Sequence, residues 1–180
     1  MRLPPVLSPS DLPAPELGAL VLDGEGYRVD ECVSPLDEVA GPLQRAAALA
    51  AQIPARLIAE QHSAAWIWGA QSTPPLRHEV CADITARTRP APDALLALRE
   101  VVLRHEDTTV LAGLAVTTPM RTAIDLARFV SHWDEIETQI VRALTTIGGF
   151  GILDCARAMN RRRNLPNKRI ALERLAASQS

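Results

Sequence analysis

Apolar positions along the chain change their spacing near residue 118, and that change divides a strand-rich centre from a helical C-terminal third. Val80, Ala82 and Ile84 alternate with Cys81, Asp83 and Thr85, the period of two that a strand shows. Residues 99–105 hold the run Val101-Val102-Leu103, which predicts a second strand. Residues 108–111 and 114–117 flank Ala112-Gly113 and read as two strands joined by a tight turn. Beyond them the spacing becomes helical. Thr118 offers a capping hydroxyl and Pro119 fits the first helical position, with Met120, Ala123, Ile124 and Ala127 recurring on one face. Ser131 is placed to cap a second helix whose stripe is Trp133, Ile136, Ile140, Leu144 and Ile147, ended by Gly148-Gly149. A third helix is expected over 152–162, and a fourth after Asn167 carries Ile170, Leu172 and Leu175.

Before residue 80 the signals are shorter. Pro13 and Pro15 confine a helix within 11–22 to its later part, where Leu17, Leu20 and Val21 share a face. Asp23-Gly24 and Gly26 mark a turn, and 27–29 with 32–33 read as a ribbon. Residues 34–42 form the best linker, so the chain is expected to divide into a small helix-plus-ribbon unit, 1–38, and a main body, 39–180. Within the body, 43–51 is helical by its Ala and Leu content, 56–59 is a short strand, and 62–68 is a helix closed by Gly69. The order of elements gives an α+β fold, with a mixed or antiparallel sheet packed by C-terminal helices.

Composition sharpens this reading at two points. Hydrophobic residues make up 47% but aromatics only 3%, so the core must be built from Ala, Leu, Val and Ile. A net charge of −2 hides an asymmetry: residues 1–60 carry nine acids and four bases, whereas 151–180 carry two acids and seven bases. An anionic partner is therefore expected at the C-terminal end. No apolar run reaches the ~18 residues that span a bilayer, and no apolar segment of an export signal follows the first residues. Three widely spaced cysteines, Cys32, Cys81 and Cys155, suit reduced thiols. The expected location is cytoplasmic.

The candidate chemistry is sparse. His78 and Cys81 fall on opposite faces of a strand, and no cluster offers the about four convergent ligands of a closed zinc site, so no metal and no cofactor is expected. Ser63 follows His62, but helix neighbours point about 100° apart and cannot form a nucleophile–base pair. His62 reads as a boundary residue of its helix. No phosphate-cradling glycine loop and no Asp with Glu-x-Lys metal pattern occurs, so no catalytic residue is assigned. Arg121, Asp125 and Arg128 are spaced i,i+4 and i,i+3 and are expected to form a modest ion-pair ladder on an exposed helix face, with Arg121 as an alternative contact for a partner. The strongest functional signal is the basic cluster Arg157, Arg161, Arg162, Arg163, Lys168, Arg169 and Arg174, whose forks suit phosphate oxygens if two short helices present them together. A solvated helix end is the competing reading.

His62-Ser63-Ala64-Ala65-Trp66-Ile67-Trp68-Gly69, the strand pair ending at Thr117, and Thr118-Pro119-Met120-Arg121-Thr122-Ala123-Ile124-Asp125-Leu126-Ala127-Arg128 together resemble actinobacterial proteins of the AbiEi type. These are antitoxins of type IV toxin–antitoxin systems. The likeness runs in order over roughly residues 12–175. It makes His62, Ser63, Trp66, Thr118, Arg121, Thr122 and Asp125 the family motif residues. The resemblance implies a winged helix-turn-helix that binds operator DNA, followed by an α/β domain that counters a nucleotidyltransferase-like toxin without a stable complex. Residues 17–35 then match the last helix and wing of a truncated, acidic winged-helix-like unit. A non-enzymatic antitoxin or transcriptional regulator touching DNA through Arg157, Arg161, Arg162, Arg163, Lys168 and Arg169 is the expected function. The alternatives are a protein-interaction module without DNA binding, and a nuclease-fold relative.

Overall fold

A computed structural model describes residues 5–84 and 95–178. Helix α1 (Ala14–Leu22) leads into a two-stranded antiparallel ribbon, β1 (Gly26–Val29) and β2 (Cys32–Pro35). Helix α2 (Pro42–Ala50), strand β3 (Ile58–Ala59) and helix α3 (Gln61–Trp68) follow, then β4 (His78–Asp83) and β5 (Leu96–Val101). A 3-10 turn at His105–Asp107 precedes β6 (Thr108–Leu111) and β7 (Leu114–Thr117). The chain then runs through α4 (Pro119–Phe129), α5 (Glu135–Gly148), α6 (Ile152–Asn160) and α7 (Lys168–Ala177). The fold is α+β, as the sequence predicts. Among the described residues no helix is long and apolar enough to cross a membrane.

The main sheet is mixed, in the order β5-β4-β3-β7-β6. Two-residue β3 lies at its centre, antiparallel to β4 and parallel to β7, while β4 and β5 are parallel. β6 and β7 form the predicted hairpin, and the turn between them places Ala112 at φ 47° and Gly113 at φ 83°, the paired positive values that a two-residue hairpin loop requires.

One apolar cluster joins the ribbon residues Val29 and Cys32 to α2, α3 and one face of the sheet. A second gathers α4 to α7 around Leu126, Leu144 and Met159. Helix α3 belongs to both, because Ala64, Trp66 and Ile67 pack into the first and Ala65 into the second. Cys32, Cys81 and Cys155 are unpaired and buried, and burial pushes the Cys155 thiol up to about 12.

The structure departs from the expected elements where partners, not spacing, decide. Strand β5 ends at Val101 because parallel pairing with β4 stops at Asp83, leaving Val102 exposed and outside the strand. Cys81 is buried together with Val80 and Ala82, since β4 is covered on both faces; Thr85, at the end of the predicted alternation, lies outside the described residues. Asp134, not Ser131, caps α5: its carboxylate accepts the N–H groups of Ile136 at 2.8 Å and Glu137 at 3.2 Å. A carboxylate suits the positive end of the helix better than a hydroxyl. Starting the helix there turns Ile140, Val141 and Leu144 inward and leaves Ile136 and Ile147 exposed.

Two polar links hold the layers together. Ser63 Oγ and His78 Nδ1 are 3.0 Å apart, and His78 Nε2 is 3.0 Å from the Asp30 carboxylate in the β1–β2 turn. Ser63 also accepts the Glu79 N–H at 2.9 Å and is fully buried, so this Ser-His-Asp chain ties the ribbon to α3 and β4. His62 is a clamp and not merely a boundary residue. Its Nδ1 donates to Glu79 at 2.8 Å and its Nε2 to Glu137 at 3.0 Å, joining α3 to β4 and α5. Burial opposes the charge on this ring, but the two carboxylates outweigh it and raise its pKa to about 10.

The folded pKa of His62 lies above its unfolded value, so its contribution is complete below about 6.5 and disappears as pH rises through about 10. Urea unfolding followed between pH 6 and 10 should show stability falling with pH, and His62→Gln should flatten that slope. An unchanged slope in the variant would show that the clamp carries no linked proton.

Candidate functional site

Asp125, in the middle of α4, is fully buried and surrounded by three guanidinium groups. Arg121 Nε donates to its Oδ2 at 2.8 Å, Arg99 Nη2 to the same oxygen at 2.9 Å, and Arg128 Nη1 to Oδ1 at 2.9 Å. Arg121 and Arg128 share a helix face with Asp125 by their spacing, whereas Arg99 arrives from β5, where it sits opposite Cys81. The expected exposed ladder is therefore a buried network. Helix α4 is packed by α3, α5, α6 and α7, and Arg99 reaches it from β5, which leaves Arg121 and Arg128 each 5% exposed in their side chains.

The network continues in two directions. Arg99 grips both oxygens of Glu60 with its Nε and Nη2; Glu60 is 1% exposed at the junction of β3 and α3. Gln61, next in the chain, adopts φ 45°, a strained value for a non-glycine residue that turns Glu60 inward. Burial raises the Glu60 carboxyl. For Arg99 burial acts downward, but the grip on Glu60 prevails and raises its pKa. In the other direction Arg121 Nη1 donates to Asp107 at 2.9 Å, and Arg162 pairs with the second Asp107 oxygen. Asp107 is fixed in turn by the 3-10 segment, where it accepts the Arg104 N–H at 2.8 Å.

The arginines of this network line a groove of about 540 Å³ between the end of β5, the end of α4 and the α6–α7 connection. Its walls carry Arg99, Arg104, Arg121, Arg128, Arg162 and Arg163, with Glu100 the one acidic lining residue. The connection is pinned to α4, since Arg128 Nε donates to the Pro166 carbonyl and Asn167 donates to the Arg128 carbonyl, both at 3.0 Å. Phe129 is stacked by two guanidinium groups, Arg99 at 4.1 Å and Arg128 at 4.4 Å from its ring centre.

The basic cluster is split, not presented as one surface. Arg162 turns inward to Asp107, Arg157 pairs with Asp154 at 3.4 Å, and Arg169 pairs with Glu173 at 3.3 Å, the last two on exposed surface. Arg174 lies over Trp133 and donates to the carbonyls of Ala127 and Val130. Arg161, Arg163 and Lys168 have no ion pair among the described residues.

The residues on which the resemblance was drawn fall on two packed helices, α3 and the start and body of α4. Thr118 caps α4, accepting the Arg121 N–H at 3.4 Å, and Thr122 Oγ1 lies 2.7 Å from Thr117 Oγ1. On α3, Trp66 is buried beneath the Arg45 guanidinium, and His62 and Ser63 make the links described above. Sequence reasoning missed Glu60, Arg99 and Asp107, which are distant in the chain from Asp125. The visible hint was a charge inside an apolar run, as with Arg99. Among the described residues no group of three or more His, Cys, Asp or Glu is placed to hold a metal ion.

Replacing Asp125 by Asn keeps the volume but strips the charge facing three arginines, and removal of one partner from a buried network costs about 3–5 kcal/mol. Chemical unfolding should show a destabilisation of that size, whereas Asp154→Asn, at an exposed pair, should change stability by less than about 1 kcal/mol. Equal effects at the two sites would refute the central place given to Asp125.

In comparison with known proteins, the family described as AbiEi antitoxin C-terminal domain matches residues 55–147, just over half of the chain. No curated protein sequence matches. Among solved structures, the RV2827C protein from Mycobacterium tuberculosis aligns with a TM-score of 0.49 at 14% identity, covering 97% of this chain and 71% of that one. By its central sheet and helices α3 to α5, where the network lies, the chain belongs to the AbiEi antitoxin family.

Proposed function

We propose that this chain is a non-enzymatic antitoxin or transcriptional regulator of a toxin–antitoxin system, acts in the cytoplasm, and contacts nucleic acid through the connection between α6 and α7. Family membership supports the antitoxin or regulatory role. One observation carries the nucleic-acid contact: Arg161, Arg163 and Lys168 project from a connection pinned to α4, and no carboxylate neutralises them among the described residues. Cations held on a fixed scaffold and left unpaired are suited to phosphate contacts, which position a protein on a duplex without reading its sequence. Arg157 and Arg169, in weak exposed pairs, can exchange their carboxylates for phosphates at little cost. Residues 1–38 form the N-terminal unit in this reading, and 39–180 the antitoxin domain. With nine of the chain's acids in residues 1–60, the N-terminal part turns a duplex toward the opposite end.

Mobility shifts with duplex from the protein's own upstream region, run at several salt concentrations, test the contact. Binding should weaken steeply with salt, and each cation withdrawn from a phosphate should lower the slope by about one. The triple variant Arg161→Glu, Lys168→Glu, Arg169→Glu should bind at least about tenfold more weakly across all duplexes. Retention equal to that of the unaltered protein refutes the contact, and magnesium-dependent cleavage of the duplex would refute the non-enzymatic role.

A further inference from the structure

The groove beside α4 differs in kind from the exposed connection above it. Four guanidinium groups, from Arg99, Arg121, Arg128 and Arg162, are held by only three carboxylates, those of Glu60, Asp107 and Asp125. Each arginine presents five N–H donors in a rigid plane, and the ion pairs occupy only part of them. Arg121 uses Nε and Nη1, Arg128 uses Nε and Nη1, and Arg99 uses Nε and Nη2. None of the remaining guanidinium nitrogens is among the fully buried atoms that lack a partner within the described residues, so they reach solvent, on side chains that line the groove. Arg104 and Arg163 stand on the wall as well, and six lining arginines against Glu100 and the three carboxylates leave the groove with a surplus of about two positive charges.

The carboxylates do more than neutralise: they fix guanidinium planes that would otherwise rotate freely. An incoming anion therefore meets donors already in place, and forgoes most of the ordering cost of binding to long side chains. Several fixed forks converging on one cavity match a phosphoryl group, with its three terminal oxygens, better than a lone carboxylate. One side of the groove is apolar, made by Val101, Val102, Phe129, Leu165 and Pro166, and both Val102 and Phe129 stay partly exposed there. A volume of about 540 Å³ lies within the range of small-ligand sites, roughly 300–1,000 Å³. Phosphate donors, an apolar wall and this volume together describe a nucleotide.

We propose that the groove lined by Arg99, Arg104, Arg121, Arg128, Arg162 and Arg163 binds the phosphate of a nucleotide, with the base or sugar against the apolar wall. The ligand is a free nucleoside di- or triphosphate or the phosphorylated 5′ end of a strand, because the two share the chemistry recognised. This site shares Arg163 with the duplex contact, but Arg161, Lys168 and Arg169 are not among its lining residues, and it is measured without duplex.

Titration calorimetry on the full chain tests it with ATP, GTP, inorganic phosphate, and a single-stranded oligonucleotide bearing either a 5′-phosphate or a 5′-hydroxyl. Arg104→Ala with Arg163→Ala leaves the buried carboxylates paired, so the unliganded variant should melt as the unaltered protein does. Nucleotide affinity should fall at least about tenfold in that variant, as expected when two charge-assisted hydrogen bonds are removed. ATP or GTP binding that the variant abolishes supports a free nucleotide. Preference for the 5′-phosphorylated oligonucleotide, not displaced by ATP, supports a strand end. Binding of inorganic phosphate alone, no binding by any of these ligands, or binding unaffected by the two substitutions overturns the proposal. The Arg161, Lys168 and Arg169 variant should bind nucleotide normally, so failure of the duplex contact and failure of the groove are read separately.

Discussion

A carboxylate removed from water must be compensated by charge and hydrogen bonds, or it will take up a proton or pull the structure open. Asp125 meets this demand with three arginines, two from its own helix and one from β5. The remainder of the domain is arranged around that solution. Helix α4 can be buried among α3, α5, α6 and α7 only because its charged face is paired, and β5 is held as an edge strand partly because Arg99 reaches across to that face. Glu60 and Asp107 extend the pairing to the start of α3 and to the turn before β6. Such networks contribute little net stability compared with a well-packed apolar core, but they are costly to break at one point and so they fix geometry.

Fixed geometry is what the groove exploits. An aliphatic core in the same place would seal the space between β5, α4 and the α6–α7 connection. An ion network instead leaves guanidinium edges facing solvent, because each arginine has more donors than the carboxylates use. The connection of α6 to α7 follows from the same network: Arg162 enters it through Asp107, and Arg128 and Asn167 close the loop against α4. With Arg162 drawn inward, its neighbours Arg161 and Arg163 remain on the surface. One interior constraint thus sorts adjacent arginines into separate roles.

Helix α3 mediates between this region and the N-terminal ribbon. Its residues pack into both apolar clusters, His62 reaches Glu79 and Glu137, and Ser63 begins the chain of hydrogen bonds to Asp30. The residues on which the sequence resemblance was drawn, His62 to Trp66 and Thr118 to Asp125, sit on the two helices that the Glu60–Arg99–Asp125 link joins. Those residues stand at a joint between α3, α4 and the sheet edge.

Local order was legible in the residues themselves. Ala112-Gly113 fixed the β6–β7 hairpin, Thr118-Pro119 started α4, and Gly69 ended α3, because each depends on backbone preferences that act within a few residues. The charge gathered at the C-terminal end was equally plain. Spacing alone could not show that Arg121, Asp125 and Arg128 are buried, since an exposed ladder and an interior network have the same i,i+3 and i,i+4 pattern. Nor could it pair Arg99 with Glu60 and Asp125, or Arg162 with Asp107, across 39, 26 and 55 residues of chain. The sequence by itself determined the elements and the sign of the charge at each end. Tertiary packing alone decided which arginines are neutralised and which stay open, because that depends on the carboxylates that folding brings within hydrogen-bond reach.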